Sequence, residues 1–251
     1  MGVRVEHHGG CAVVRMESGK INAMDLALCE DLSAAFGSLP EQGARAVVLT
    51  GNGRAFSAGV DLPAIIQGGG DHARAFVAAL GRCFESVLRC PLPVVAAVDG
   101  HAIAGGCVLA CAADHRVAVD SVSARIGLTE LAVGVPFPTS AVEIMRWRLG
   151  DPLLGRRVLL ADTVSATQAV AARLADELAP VEEVLARALA VAWSLAAVPP
   201  ASYALTKAQL QADVRERIDA RRADWEPRVG DLWVSEPVRA AMMVFVQRMR
   251  N

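Results

Sequence analysis

The chain has 251 residues, 53% of them hydrophobic and 21% charged, with a formal net charge of −2. So even a balance provides no field to gather nucleic acid or an anionic membrane, and neither is expected as a partner. No charge-free run of 18 apolar residues is present and no signal peptide opens the sequence, which predicts a cytoplasmic protein with one sizeable core.

Cys11, Cys29, Cys83, Cys90, Cys107 and Cys111 are scattered, and the Cys107/Cys111 pair lacks histidines at zinc-ligand spacing. Buried free thiols and no metal are expected. Val3, Val5 and then Cys11–Met16 read as two short strands around His7-His8-Gly9-Gly10. Asp25 can cap a helix running to about Leu39, with Leu28, Leu32, Ala35 and Phe36 on one face. After the β-rich Ala46–Thr50, the stretch Phe56-Ser-Ala-Gly-Val-Asp61-Leu62 leaves backbone open beside a strand end. Gly68-Gly69-Gly70 makes Pro63–Asp71 the least structured composition in the chain, and weak order is expected there. A helix from about His72 to Arg89 then carries Phe76, Leu80, Phe84 and Leu88 at steps of four.

Val94–Val98 is an uninterrupted apolar run, as suits a strand buried on both faces. Asp99-Gly100 turns the chain, and Ala104-Gly105-Gly106 lets a ligand atom approach the backbone N–H groups where the next helix begins. Two donor sites of this kind can converge on one oxygen. His115–Val119 and Ala124–Ile126 read as strands leading into Gly127-Leu-Thr-Glu130-Leu131. Beyond the Val133–Pro138 loop, helices are expected at Thr139–Leu149, from Asp151, and over Ser165–Ala175, Val181–Ala197, Ala201–Gln211, Val214–Leu232 and Glu236–Arg250, with a break at Pro227. The mixed charges from Arg215 to Arg222 suit a solvated face. Val238, Met242, Phe245 and Met249 form an apolar stripe that calls for a partner surface.

The two glycine motifs, in this order and together with Val13–Met16 and Asn22-Ala23-Met24, resemble the crotonase, or enoyl-CoA hydratase/isomerase, superfamily over nearly the whole chain. The resemblance implies an α/β fold: a ββα superhelical spiral core with the acyl-CoA site over 1–163, then a C-terminal α-helical trimerisation region over 164–251. It implies an acyl-CoA thioester as substrate, with coenzyme A part of that substrate and no separate cofactor, and a homotrimer or dimer of trimers. Carried over residue by residue, the backbone N–H groups of Val60 and Gly105 would hold the thioester oxygen, with Lys20 and Ile21 near the coenzyme A adenine. Ala58, Gly59, Asp61, Leu62, Gly106, Val108, Pro136 and Phe137 fall in substrate-lining stretches, and Pro63–Asp71 matches a mobile lid.

Hydratases of this family use two glutamates to add water across a double bond. The corresponding positions here are Val108 and Glu130, and a valine can neither hold water nor transfer a proton. One carboxylate suffices for a Δ3,Δ2-enoyl-CoA isomerase, which moves a proton from C2 to C4. The pattern Ala104–Ala110, Ile126–Glu130 and Pro136-Phe137 also resembles the mitochondrial-type isomerase, so isomerase is favoured and hydratase comes second. A hydrolase or decarboxylase of the same fold would use the same oxyanion site. An RNA-binding member would want a basic helix, against the acidic balance. Glu85 and Glu143 lie on amphipathic helices, where structural roles are expected.

Overall fold

A computed structural model describes residues 2–250. The first part of the chain runs β1 (Val3–His8), β2 (Cys11–Met16), α1 (Leu26–Ser38), β3 (Ala46–Thr50), β4 (Ala55–Ser57), α2 (Leu62–Arg89), β5 (Val94–Val98), β6 (His101–Ile103), α3 (Gly105–Ala112), β7 (His115–Val119), β8 (Arg125–Gly127) and α4 (Glu130–Val133). It continues with α5 (Thr139–Leu149), α6 (Asp151–Leu160), β9 (Thr163–Ser165), β10 (Glu177–Ala179), α7 (Val184–Ala196), α8 (Pro200–Leu210), α9 (Ala212–Val234) and α10 (Glu236–Arg250).

From β3 to β8, consecutive strands alternate between two sheets. One sheet has the order β1-β2-β3-β5-β7-β10 and the other β4-β6-β8-β9. The three turns β3-β4-α2, β5-β6-α3 and β7-β8-α4 each lay one strand in each sheet and close with a helix, while the opening β1-β2-α1 keeps both strands in the first sheet. β1 and β2 pair antiparallel, as do β8 and β9, while β2-β3-β5-β7-β10 and β4-β6-β8 are parallel. All five residues of β3 and of β5 are buried, which explains their unbroken small and β-branched runs; α7 packs over both. The expected stripe of α2 is core throughout: Phe76, Leu80, Phe84 and Leu88 are buried against the rest of the chain. All six cysteines are buried and free. No single helix among the described residues is long and apolar enough to cross a membrane.

Four expectations are corrected. Pro63–Asp71 is helical rather than loop, kinked at Gly69 with φ of 77°. Asp61 caps this helix by accepting from Ala64 N–H at 3.0 Å, and Ile65 is buried, so a cap and an apolar anchor outweigh the three glycines. Ser165–Ala175 is not an α-helix: Thr163–Ser165 is a strand, Ala166–Gln168 a single 3-10 turn, and Arg173 takes a left-handed φ of 61°. Pro227 does not break α9, which runs through it with Ile218, Val229 and Trp233 buried along its length. Finally, the stripe on α10 is satisfied mostly within the chain, since Met242 is buried and Val238 and Phe245 pack on the core, leaving Met249 exposed.

Charge pairs tie α9 to the core. Glu143 is 2% exposed and accepts from Arg146 Nε at 3.1 Å, Arg217 Nε at 3.0 Å and Arg221 Nη1 at 2.6 Å. Glu85 accepts from Arg89 Nε at 3.2 Å and Arg222 Nη2 at 2.7 Å. The arginines on α9 thus form a bridging face as well as a solvated one. Lys207 does the same for α8, donating to Leu92 O at 3.0 Å and Asp114 Oδ2 at 2.7 Å. Glu143→Ala would leave three arginines without their shared carboxylate. Because those arginines are partly solvated, the expected loss is about 1–3 kcal/mol rather than that of a fully buried pair, read as a lower urea midpoint.

Candidate active site

β4, β6 and β8 are neighbouring parallel strands, with Ser57 opposite Ala102, Ala102 opposite Ile126 and Ile103 opposite Gly127. Val60, Gly105 and Glu130 lie three residues beyond Ser57, Ala102 and Gly127 respectively. All three therefore leave the same edge of one sheet, at the carboxyl ends of its parallel strands, where open α/β sheets place ligands.

Val60 is oriented by a parallel bridge to Met24. Met24 N–H donates to Gly59 O at 2.7 Å, and Asp61 N–H donates to Met24 O at 2.9 Å. In a parallel pair these bonds come from the residues flanking Val60, so its own N–H and C=O point away from Met24. Val60 O accepts from Leu62 N–H at 3.0 Å, while its N–H donates to no described protein atom. Gly59, at φ of 90°, makes the turn, and a Cβ there would stand 3.0 Å from both Ile103 O and Ala104 Cβ.

Gly105 N–H opens α3. Ala104 precedes it at φ 52° and ψ −124°, a backbone region that side chains rarely enter and that local strain makes costly. It is held by Ala104 N–H donating to Gly127 O at 2.8 Å, with Ala104 O accepting from Cys107 and Val108 N–H at 2.9 and 3.1 Å. The first-turn N–H of Gly105 has no acceptor among the described residues, as helix geometry requires, and sits at the positive end of the helix. Gly106 serves packing: a Cβ there would meet Ser57 O at 2.3 Å. Two free donors at adjoining strand ends can stabilise an oxygen on which negative charge develops.

Glu130 is the first residue of α4, and its Oε2 is buried without a hydrogen-bond partner. Burial is the main cause that pushes its carboxyl up to about 8, against the smaller opposing effect of backbone N–H groups. A carboxyl poised there can take up and return a proton near neutrality. Glu85 and Glu143, by contrast, are engaged by arginines.

Val108 is completely buried on α3. Ile21 O accepts from Ala58 N–H at 3.0 Å, which brings the Lys20-Ile21 loop beside the Val60 segment, with both loop side chains exposed. Leu62 and Phe137 are buried, and Pro136 O accepts from Trp233 Nε1 at 3.0 Å, so the Pro136-Phe137 stretch is braced by α9. Asn22, part of the Asn22-Ala23-Met24 motif, ties the loop before α1 to β4. Its Nδ2 donates to Ala55 O at 3.0 Å and Phe56 O at 3.2 Å, and its φ of 48° is one that asparagine tolerates. A hollow of about 470 Å³ lined by Arg54, Asp99, His101, Asp120 and Glu182 lies elsewhere, and none of the expected site residues borders it. Among the described residues no three His, Cys, Asp or Glu side chains gather as a metal would require.

A family model described as enoyl-CoA hydratase/isomerase matches residues 6–250. The chain belongs to the enoyl-CoA hydratase/isomerase family. A putative enoyl-CoA hydratase of Thermus thermophilus is 36% identical over 209 residues, covering 80% of this chain and 81% of its own length. The structure of human mitochondrial Δ3-Δ2-enoyl-CoA isomerase superposes with a TM-score of 0.92 at 24% identity, covering 100% of this chain and 98% of the human one. A probable enoyl-CoA hydratase from Mycobacterium tuberculosis superposes at 0.83 with 35% identity, covering 92% and 97%. Both family activities are thus represented among the relatives, and the crotonase fold expected of the chain is the one it has.

The raised carboxyl of this family member has a cost in stability. The native state keeps the Glu130 proton up to about pH 8, while the unfolded state gives it up from an ordinary value of 4.5. Stability from this group is fully present below 4.5 and is lost as pH rises through 8. Glu130→Gln, always neutral, is therefore expected to gain progressively on wild type as pH rises across that window, by about 3–5 kcal/mol once pH reaches 8, followed by urea unfolding at a series of pH values.

Proposed function

We propose that this enoyl-CoA enzyme is a Δ3,Δ2-enoyl-CoA isomerase with a single acid/base carboxylate. The observation that carries the reading is the pairing of an unpartnered, buried Glu130 oxygen with a wholly apolar Val108 where a hydratase of this family would carry its other glutamate. The thioester oxygen of a 3-enoyl-CoA accepts from Val60 and Gly105 N–H. Glu130, ionised, takes a proton from C2; the C2 electron pair delocalises toward the carbonyl oxygen as a dienolate. The same carboxyl returns the proton at C4, so the double bond moves from C3–C4 to C2–C3 and no water, metal or redox cofactor is consumed. Each donor of such a pair is typically worth about 3–4 kcal/mol of barrier. Lys20 and Ile21 fit the role of rim contacts for coenzyme A, and Ala58, Gly59, Asp61, Leu62, Gly106, Val108, Pro136 and Phe137 that of the surrounding wall.

The test is purified protein with 3-enoyl-CoA and, separately, 2-enoyl-CoA, followed by chromatography of the thioesters. Rapid isomerisation and poor hydration are expected. Glu130→Gln should lower isomerase turnover by about two to four orders of magnitude while keeping acyl-CoA affinity. Because the base acts ionised, kcat/KM should rise with pH, reach half its maximum near 8 and level off above that. Val108→Glu should introduce measurable water addition. Ordinary hydratase rates in wild type, or full isomerase activity in Glu130→Gln, would sink the single-base reading.

We also propose self-association as a homotrimer or dimer of trimers. Support comes from the exposed Leu153, Leu159 and Leu160 on α6, which packs beside α4, the Glu130 helix. Light scattering should give three or six times 26.4 kDa; a monomer mass at micromolar concentration would exclude it.

A further inference from the structure

Met24 has no exposed surface, and it faces both donor segments, one through its main chain and the other through its side chain. Its main chain brackets Val60 through the bonds to Gly59 O and from Asp61 N–H. Its side chain crosses to the other donor: Sδ lies 3.2 Å from the position a Cβ on Gly105 would occupy, nearer than Phe84 Cζ at 3.5 Å or Leu80 Cδ1 at 3.8 Å. The start of α3 needs such backing. It has no side-chain cap, and the residue before it, Ala104, is in a strained conformation that favours rotation of the first peptide of the helix. The carbonyl end of that peptide is held by Cys107 and Val108 N–H, but its Gly105 end has no hydrogen bond among the described residues. That peptide carries the Gly105 N–H.

We infer that the Met24 side chain is a positioning residue for the oxyanion site, a buttress that fixes Gly105 N–H relative to Val60 N–H. The inference rests on the oxyanion reading above. It separates the two halves of the residue: any amino acid at position 24 except proline keeps the backbone bridge to Val60, whereas a side chain of methionine's reach is needed to fill the space facing Gly105. Donor alignment matters because a preorganised pair acts on charge that appears only in the transition state, so misalignment lowers kcat more than it alters KM.

The experiment compares wild type with Met24→Ala, Met24→Val and Met24→Leu. In steady-state isomerisation, Met24→Ala and Met24→Val should lose about 10- to 30-fold in kcat, with KM within about threefold. Met24→Leu, of similar volume, should recover to within about threefold of wild type. The second readout is the infrared band of carbonyl-labelled hexanoyl-CoA, a saturated thioester that no double-bond chemistry can alter. Wild type and Met24→Leu should shift this band to lower wavenumber on binding, and the two shorter variants should shift it less. Loss of fold alone would lower the bound fraction without moving the band of what is bound. If Met24→Ala does not fold, Met24→Val decides. A band shift and kcat kept by both shorter variants would overturn the buttress alone. An absent shift in wild type would overturn the oxyanion reading itself.

Discussion

The seat of α3 on β4 depends on Gly106 having no side chain, since a Cβ there would stand 2.3 Å from the Ser57 carbonyl oxygen. That contact brings the helix start down onto the strand and sets Ala104 against Gly59. Gly51 and Gly100 meet the same demand at the other end of these strands, where a Cβ would come within 2.2 Å of Ala55 O and 2.3 Å of Arg54 O. Close backbone approach is thus repeated along β4, and it is what lets two chain segments present free N–H groups side by side. Bulkier residues would hold the segments apart by more than a hydrogen bond can span.

Around this contact the molecule places polar groups according to what each must do. Glu143 and Glu85 are buried with arginines and join α9 to α5 and α2, so their charge is compensated and their work is structural. Arg116 is likewise neutralised by Asp176. Glu130 is buried with nothing to neutralise it, at the edge where the donors sit. A carboxyl kept without a partner is poor for stability and suited to proton transfer, and the large apolar core of α2, α3 and the parallel strands offsets that loss.

Much of this was legible in the chain itself. Val94–Val98 and the Phe76-to-Leu88 stripe obey simple periodicity, and burial follows periodicity wherever an element faces one environment. The open backbone at Gly59 and Gly105 was legible because glycine beside strand ends has few other uses, while Val60, Gly105 and Glu130 are named through the family resemblance. Local composition misled where tertiary contacts decide. Gly68-Gly69-Gly70 suggests a loop, yet Asp61 and Ile65 hold a helix there. Pro227 should interrupt α9, yet the helix is clamped on both sides of it by Glu226, which accepts from Thr139 N–H at 3.0 Å, and by Trp233. Met242 reads as part of an intermolecular stripe until α10 is seen to fold back over the kink in α2, where Arg239 donates to Ile66 O at 3.3 Å. No local pattern records which surface covers a stripe.

The alternation of strands β3 to β8 between two sheets has a consequence for how the site comes into being. Val60, Gly105 and Glu130 belong to three successive coils of the spiral, so residues at one edge of one sheet stand 45 and 25 positions apart in the chain. Each join closes a long loop before any contact rewards it, a topology that folds slowly. No fragment containing one coil or two holds Val60, Gly105 and Glu130 together, so on the proposed reading of the site catalytic competence arrives in one step, when the third coil docks. Newly made chains would pass from inert to active without a partly working form in between.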